Sequence, residues 1–186
     1  MIIGLGMQAV LVIDMIREFV TGRLGFPAAR AIVPNIRMLV DAARKTGRPV
    51  VYVCDAHRPQ DPQLRVWGEH AIDGTEGAEI IDDLAPGGSD TVIKKRTYSA
   101  FYGTDLHGFL QSQKVTEVVL TGVVTNICIQ HTAADAFFRG YGVVVPEDST
   151  AAVEEELHRS ALQTMKQLYA AKIVRSADLV QEWIGK

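Results

Sequence analysis

Short β-branched runs alternate with helix-period segments along the chain, and this constrains the fold more than any other feature. The runs VLVI, VVYV and VVLTGVV carry no charge on either strand face. A strand with one wet face alternates apolar and polar residues, so these runs read as strands covered on both sides. Strands are expected at 9–14, 49–55, 90–95, 117–122 and 142–146, with a short one at 171–174. Helical patterns fill 28–46, 106–113, 126–140, 153–169 and 177–185; the first places Ile32, Ile36, Leu39, Val40 and Ala43 on one face. Strand–helix alternation of this kind predicts an α/β fold, a doubly covered, mainly parallel sheet of six strands.

A length of 186 residues suits one domain, and no composition shift or repeat divides 1–186. The formal net charge of −3 offers no basic surface, so neither nucleic acid nor an anionic membrane is an expected partner. No apolar run approaches the ~20 residues of a membrane span. The N-terminal MIIGLGMQAVLVID has no basic leader and no small-residue cleavage site, and is read as part of the fold. Cys54 and Cys128 lie on different elements without CxxC spacing, which suits reduced thiols in the cytoplasm. One region breaks the alternation: 56–88 is rich in Pro, Gly and Asp with weak periodicity. Long irregular connections in compact domains are usually functional.

Ligands of open α/β sheets bind beyond the carboxyl ends of the strands. Asp14, Asp55 and Lys95 end the first three expected strands, and Cys128 follows the fourth. A free thiol has a pKa of ~8.5 and becomes a nucleophile when a helix N-terminus or a lysine favours the thiolate. Cys128 follows Gly122, Thr125 and Asn126 into a helix, although ICIQ would equally hold a small buried hydrophobe. Asp14 reads either as a proton carrier or as a strand-end cap. Lys95 in IKKR reads either as a charge partner or as a snorkelling side chain. Cys54 lies within its strand and reads as core.

The stretches VLVIDMIREF at 10–19, VIKKRTYSAFYGTDL at 92–106 and LTGVVTNICIQHTAADAFFRGY at 120–141 resemble the isochorismatase-like cysteine hydrolases, a superfamily that includes nicotinamidases, N-carbamoylsarcosine amidases and isochorismatases. The resemblance implies a Rossmann-like three-layer sandwich and a catalytic triad of Asp14, Lys95 and Cys128. Lys95 is preferred to Lys94 because it lies four residues before Ser99. The resemblance also implies a cis peptide at Val123–Val124 and an oxyanion hole from the backbone N–H groups of Val124 and Cys128. Ile16 departs from the pattern, which often has Gln there.

The stretch CDAHRPQDPQLRVWGEH at 54–70 resembles nicotinamidases in its Asp-x-His and its Trp-x-x-His, followed by Gly74 and Thr75. It implies that Asp55, His57 and His70 bind a divalent metal, zinc first and iron or manganese next, with Asp61 a further or water-mediated ligand. Asp-His-His with open positions is the pattern of a catalytic site. The resemblance implies no organic cofactor, an amide substrate, a pocket including Phe19, Trp67 and Tyr98, and a homo-oligomer. Nicotinamide hydrolysis is the favoured activity. Another hydrolysis within the superfamily, such as that of a carbamoyl amide or isochorismate, or a non-catalytic thiol sensor on the same fold, are the alternatives. His107, His131 and His158 receive no role.

Overall fold

The computed structural model describes residues 6–185; the part of the N-terminal reading that concerns residues 1–5 lies outside them. The strands are β1 Met7–Ile13, β2 Val50–Asp55, β3 Thr91–Lys95, β4 Val115–Val123, β5 Gly142–Pro146, β6 Thr150–Ala151 and β7 Lys172–Val174. The helices are α1 Arg17–Val20, α2 Pro27–Ala31, α3 Val33–Lys45, α4 Leu64–Trp67, α5 Leu106–Ser112, α6 Gln130–Phe138, α7 Glu155–Leu168 and α8 Ser176–Ile184. Every strand pairing is parallel, in the order β3-β2-β1-β4-β5-β7, with β6 added to the end of β4.

The double cover follows from the apolar runs. On β1, Val10 and Val12 pack with Ile36, Leu39, Leu179 and Trp183 on one face. Ala9, Leu11 and Ile13 pack with Leu106, Leu110, Ala133 and Met165 on the other. Thus α3 and α8 cover one side of the sheet, and α5, α6 and α7 the other. No described helix is long and apolar enough to cross a membrane.

Three local departures from expectation have physical causes. The segment expected as one helix over 28–46 divides at Ile32 into α2 and α3. Pro34 has no N–H to continue the bonding of α2 and instead starts α3. Among the described residues the sheet has seven strands, because Gly122 and Val123 pair with the two residues of β6, too short for any periodicity. The helix expected over 126–140 begins as a turn of π-helix, Thr125–Ile129, before α6. The region 56–88 is irregular as expected, with α4, two 3₁₀ turns and isolated bridges Ile16–Ile80 and His57–Ile72.

Candidate active site

Parallel strands deliver their carboxyl ends to one edge of the sheet, and the reactive side chains meet there. Asp14 follows β1 in the left-handed region, φ 55°, which a short polar side chain tolerates better than most. Its N–H donates to the Val53 carbonyl at 3.1 Å. Asp55 and Lys95 are paired residues at the ends of β2 and β3. The alternation of β3 turns Lys95 inward, 1% exposed, while Lys94 points out to Asp73 at 2.5 Å. Cys128 lies in the π-turn after β4, and the Val123–Val124 peptide before that turn is cis.

Lys95 is the hub. Its Nζ donates to Asp55 Oδ1 at 2.5 Å and to the Thr97 carbonyl at 3.1 Å. It lies 2.8 Å from Asp14 Oδ2 and 3.7 Å from Cys128 Sγ. Asp14 Oδ1 accepts the Asp55 N–H at 2.8 Å. Asp14 Oδ2 accepts no aligned hydrogen bond, so its contact with Lys95 is an ion pair that leaves a lone pair available. Ligand atoms of Asp14, Asp55 and Cys128 lie within 4.8 Å of one another. A base, a cation and a thiol are thus in contact.

The electrostatics follow from burial. Desolvation, reinforced by Asp55, pushes the Asp14 carboxyl up to about 6 against the pull of Lys95. Burial opposes the Lys95 ammonium, but Asp14 and Asp55 outweigh it and hold its pKa well above the ordinary value. Desolvation also pushes the Cys128 thiol well above its ordinary value, more strongly than Lys95 pulls it down. Burial thus opposes the thiolate that a helix N-terminus and a lysine favour. Cys54 is buried within β2 on the opposite face of the sheet, and burial raises its pKa strongly too.

Beside this cluster, donor atoms of Asp55, His57 and His70 lie within 4.8 Å of one another, all buried. His57 Nε2 faces Asp55 Oδ2 at 3.4 Å and has no hydrogen-bond partner among the described residues. The Gly68 carbonyl, 2.7 Å from His70 Nδ1, accepts its proton and leaves Nε2 with a lone pair. An orphaned buried imidazole nitrogen, a second lone pair and a carboxylate oxygen form a donor set that fits a divalent metal. Asp61 lies behind His57 rather than among these donors: its Oδ2 is 3.2 Å from Nδ1. Arg96 binds Asp61 and holds its carboxyl well below the usual range. That is the arrangement of a carboxylate orienting a ligating histidine.

A cavity of about 330 Å³ opens over Cys128, and Phe19, Trp67 and Tyr98 line it with Asp14, Asp55 and His70. Trp67 Nε1 donates to Tyr98 Oη at 3.1 Å, fixing two aromatic walls. Among the described residues, none of those lining it is Lys or Arg. Three features escaped the sequence reading. Asp55 serves both clusters, legible only once β2 and β3 are known to be neighbours. Gln63 and Asn126 line the cavity with buried carboxamide oxygens that lack partners, and nothing in their local sequence signals it. Val153 and Leu157 form a wall from beyond β6, about thirty residues after the thiol.

Residues 8–178 match the Isochorismatase domain family. Two Arabidopsis thaliana relatives are each 36% identical to this chain. One is Nicotinamidase 3, matched over 84% of this chain and 79% of its own length. The other, matched over 86% and 88%, is described as a probable inactive nicotinamidase. Among solved structures, the N-carbamoylsarcosine amidase of Thermoplasma acidophilum is 40% identical with TM-score 0.86, covering 91% of this chain and 96% of its own. The pyrazinamidase of Pyrococcus horikoshii, solved in complex with zinc, is 29% identical with TM-score 0.84, covering 91% and 99%.

Proposed function

The chain belongs to the isochorismatase family, and on that premise we propose that it is a cysteine-dependent amidohydrolase that converts nicotinamide and water to nicotinate and ammonia. The observation that carries this reading is a buried thiol in contact with a carboxylate–lysine pair, at the floor of an apolar cavity beside a metal-competent donor set.

Asp14 takes the Cys128 proton on the remaining lone pair of Oδ2, and the Lys95 ammonium stabilises the new thiolate at 3.7 Å. The sulfur attacks the amide carbonyl, forming a C–S bond while the carbonyl electrons move to oxygen. Backbone N–H groups of Val124 and Cys128 hold that oxyanion. Collapse breaks the C–N bond as Asp14 returns the proton to nitrogen, releasing ammonia and leaving a thioester. Water then attacks the thioester, Asp14 accepts its proton, and the sulfur leaves to be reprotonated. Asp55, His57 and His70 would hold a divalent metal, zinc first and iron or manganese next, with Asp61 orienting His57. When bound, such an ion supplies a Lewis-acid anchor for a ring nitrogen and so orients the amide. Phe19, Trp67 and Tyr98 supply flat apolar surface to a ring.

A second reading, hydrolysis of a carbamoyl amide, is favoured by the 40% identity to the archaeal amidase. Against it stands the lining of the cavity, which offers no Lys or Arg to a substrate carboxylate. Only the proposed metal would neutralise such a charge; elsewhere in this lining it would be desolvated at a cost of several kcal/mol. A neutral aromatic amide has no such cost. Incubating metal-loaded protein with nicotinamide and with N-carbamoylsarcosine, and measuring ammonia, separates the two. At least tenfold faster release from nicotinamide is expected. The opposite preference would establish the second reading, and no release from either would leave a thiol-bearing binding protein. Because one relative is described as a probable inactive nicotinamidase, turnover rather than binding is the decisive measurement.

A further inference from the structure

Of residues 123–128, all but Thr125 line the cavity over the thiol. Thr125 turns the other way. It is fully buried, and its Oγ1 lies 2.9 Å from Nδ1 of His158, on α7. His158 stays outside the catalytic cavity and borders a second one of about 420 Å³, with Glu147, Glu155 and Arg159. Its ring also meets the backbone of Glu147, just after β5. Nδ1 of the neutral ring accepts the Thr125 hydroxyl proton. A neutral ring is required for this, and burial holds the His158 pKa below its ordinary value.

We propose that His158 is a positioning residue: through Thr125 it fixes the turn that carries Cys128, and so sets the direction of sulfur attack without touching substrate. This rests on the reading of Cys128 as the nucleophile. Within the turn, the Val124 carbonyl takes the N–H groups of Ile127 at 3.0 Å and Ile129 at 3.3 Å, and the Thr125 and Ile127 carbonyls take the N–H of Gln130, where α6 begins. Those bonds close the turn and run it into α6 but do not tie it to α7. The Thr125 hydroxyl supplies a lateral tie, and α7, which also gives Leu157 to the cavity wall, is its other end. A loss of the hydroxyl–imidazole bond leaves a buried hydroxyl unpaired, and the turn can recover the bond only by moving.

Attack geometry tolerates little movement, since a misplacement of ~1 Å can cost on the order of a hundredfold in rate. His158→Ala and Thr125→Val should each lower kcat by roughly tenfold to a hundredfold while KM stays within about twofold, because Phe19, Trp67 and Tyr98 come from other elements. The double variant should lose no more than the worse single one, since both changes break one bond. His158→Asn places an amide oxygen where Nδ1 lies and should restore most of the rate.

The test is steady-state kinetics on these four variants, with the second-order rate of iodoacetamide alkylation mapped to Cys128 and the thermal midpoint of each. Alkylation should fall and recover in parallel with kcat, at midpoints high enough for every protein to be folded in the assay. Wild-type kcat and alkylation in His158→Ala would overturn the proposal. So would losses that multiply in the double variant, or a folded His158→Asn that stays as slow as the alanine variant. The alkylation arm reads thiol geometry whether or not nicotinamide is turned over, so a wrong substrate and a wrong positioning role give different results.

Discussion

A lysine sealed from water lies beside two carboxylates and a thiol, and in the proposed mechanism the protonation state of Asp14 governs turnover. The pKa of Asp14 is raised, first by burial and then by Asp55, to about 6. The base is therefore ionised above that pH and protonated below it. It follows that kcat/KM, which reports the free enzyme, should fall about tenfold per pH unit as pH drops below 6, with a plateau towards neutrality. A limb near 4, the ordinary carboxyl value, would show that burial does not raise the Asp14 carboxyl in the free enzyme. Asp14→Asn keeps the shape but can neither accept nor return a proton, and should cost on the order of 10²–10⁴ in kcat. Cys128→Ala should abolish ammonia release, whereas Cys54→Ala, in the core on the other sheet face, should keep most of it. Lys94→Ala should be mild, because Lys94 only reaches the exposed Asp73. Lys95→Ala removes the cation shared by two buried carboxylates and should be inactive. Near-equal activity of the two lysine variants in an ammonia assay would contradict the inward turn of Lys95.

Among the elements, β4 carries the tightest constraint. Gly122 has φ +108°, and a Cβ there would lie 1.9 Å from the Ile13 carbonyl oxygen, which is backbone of β1 and cannot swing away. Gly122→Ala combines a disfavoured dihedral with a clash at the strand that presents Asp14, and should destabilise by at least about 3 kcal/mol. Denaturant unfolding checks this, and a loss below about 1 kcal/mol would mean that β1 and β4 separate easily. Much of this level was legible in the sequence. The unbroken apolar runs located β1, β2, β4 and β5, because burial on both faces leaves a composition that no exposed segment can carry. The edge strands β3 and β7, partly exposed, were legible from their short β-branched stretches. Where the sequence misled, local chemistry outranked periodicity: Pro34 split a helix whose apolar face continued across it, and β6 was two residues long. The outline of the site was legible too, because strand ends in a parallel sheet share an edge. The contacts inside it were not. The tie from Thr125 to His158 spans 33 residues and two elements, and neither residue carries a local signal of it.

For the molecule as a whole, the fold should be independent of the proposed metal. Asp55 closes β2, whose backbone is already paired on both sides by β1 and β3. His57 is set by the Asp61–Arg96 pair and by its N–H to the Ala71 carbonyl at 2.9 Å, and His70 by the Gly68 carbonyl. Each donor is thus placed by protein contacts, so the sheet and its two helical layers should form without an ion. Chelation should therefore remove nicotinamide hydrolysis while the far-ultraviolet circular dichroism stays unchanged and the thermal midpoint falls by only a few degrees. This is the reverse of a structural zinc site, where removal of the ion unfolds the domain. The effect should also depend on the substrate. An amide with a ring nitrogen should lose binding, seen as a rise in KM, whereas benzamide has no atom to present to the ion and should lose less. His57→Ala should reproduce that selective loss and lower the metal content measured by elemental analysis from one ion per chain. Full nicotinamide turnover in protein shown to be metal-free would end the anchoring role. It would leave Asp55 with its other contact, the 2.5 Å bond from Lys95, as the reason for a carboxylate at the end of β2.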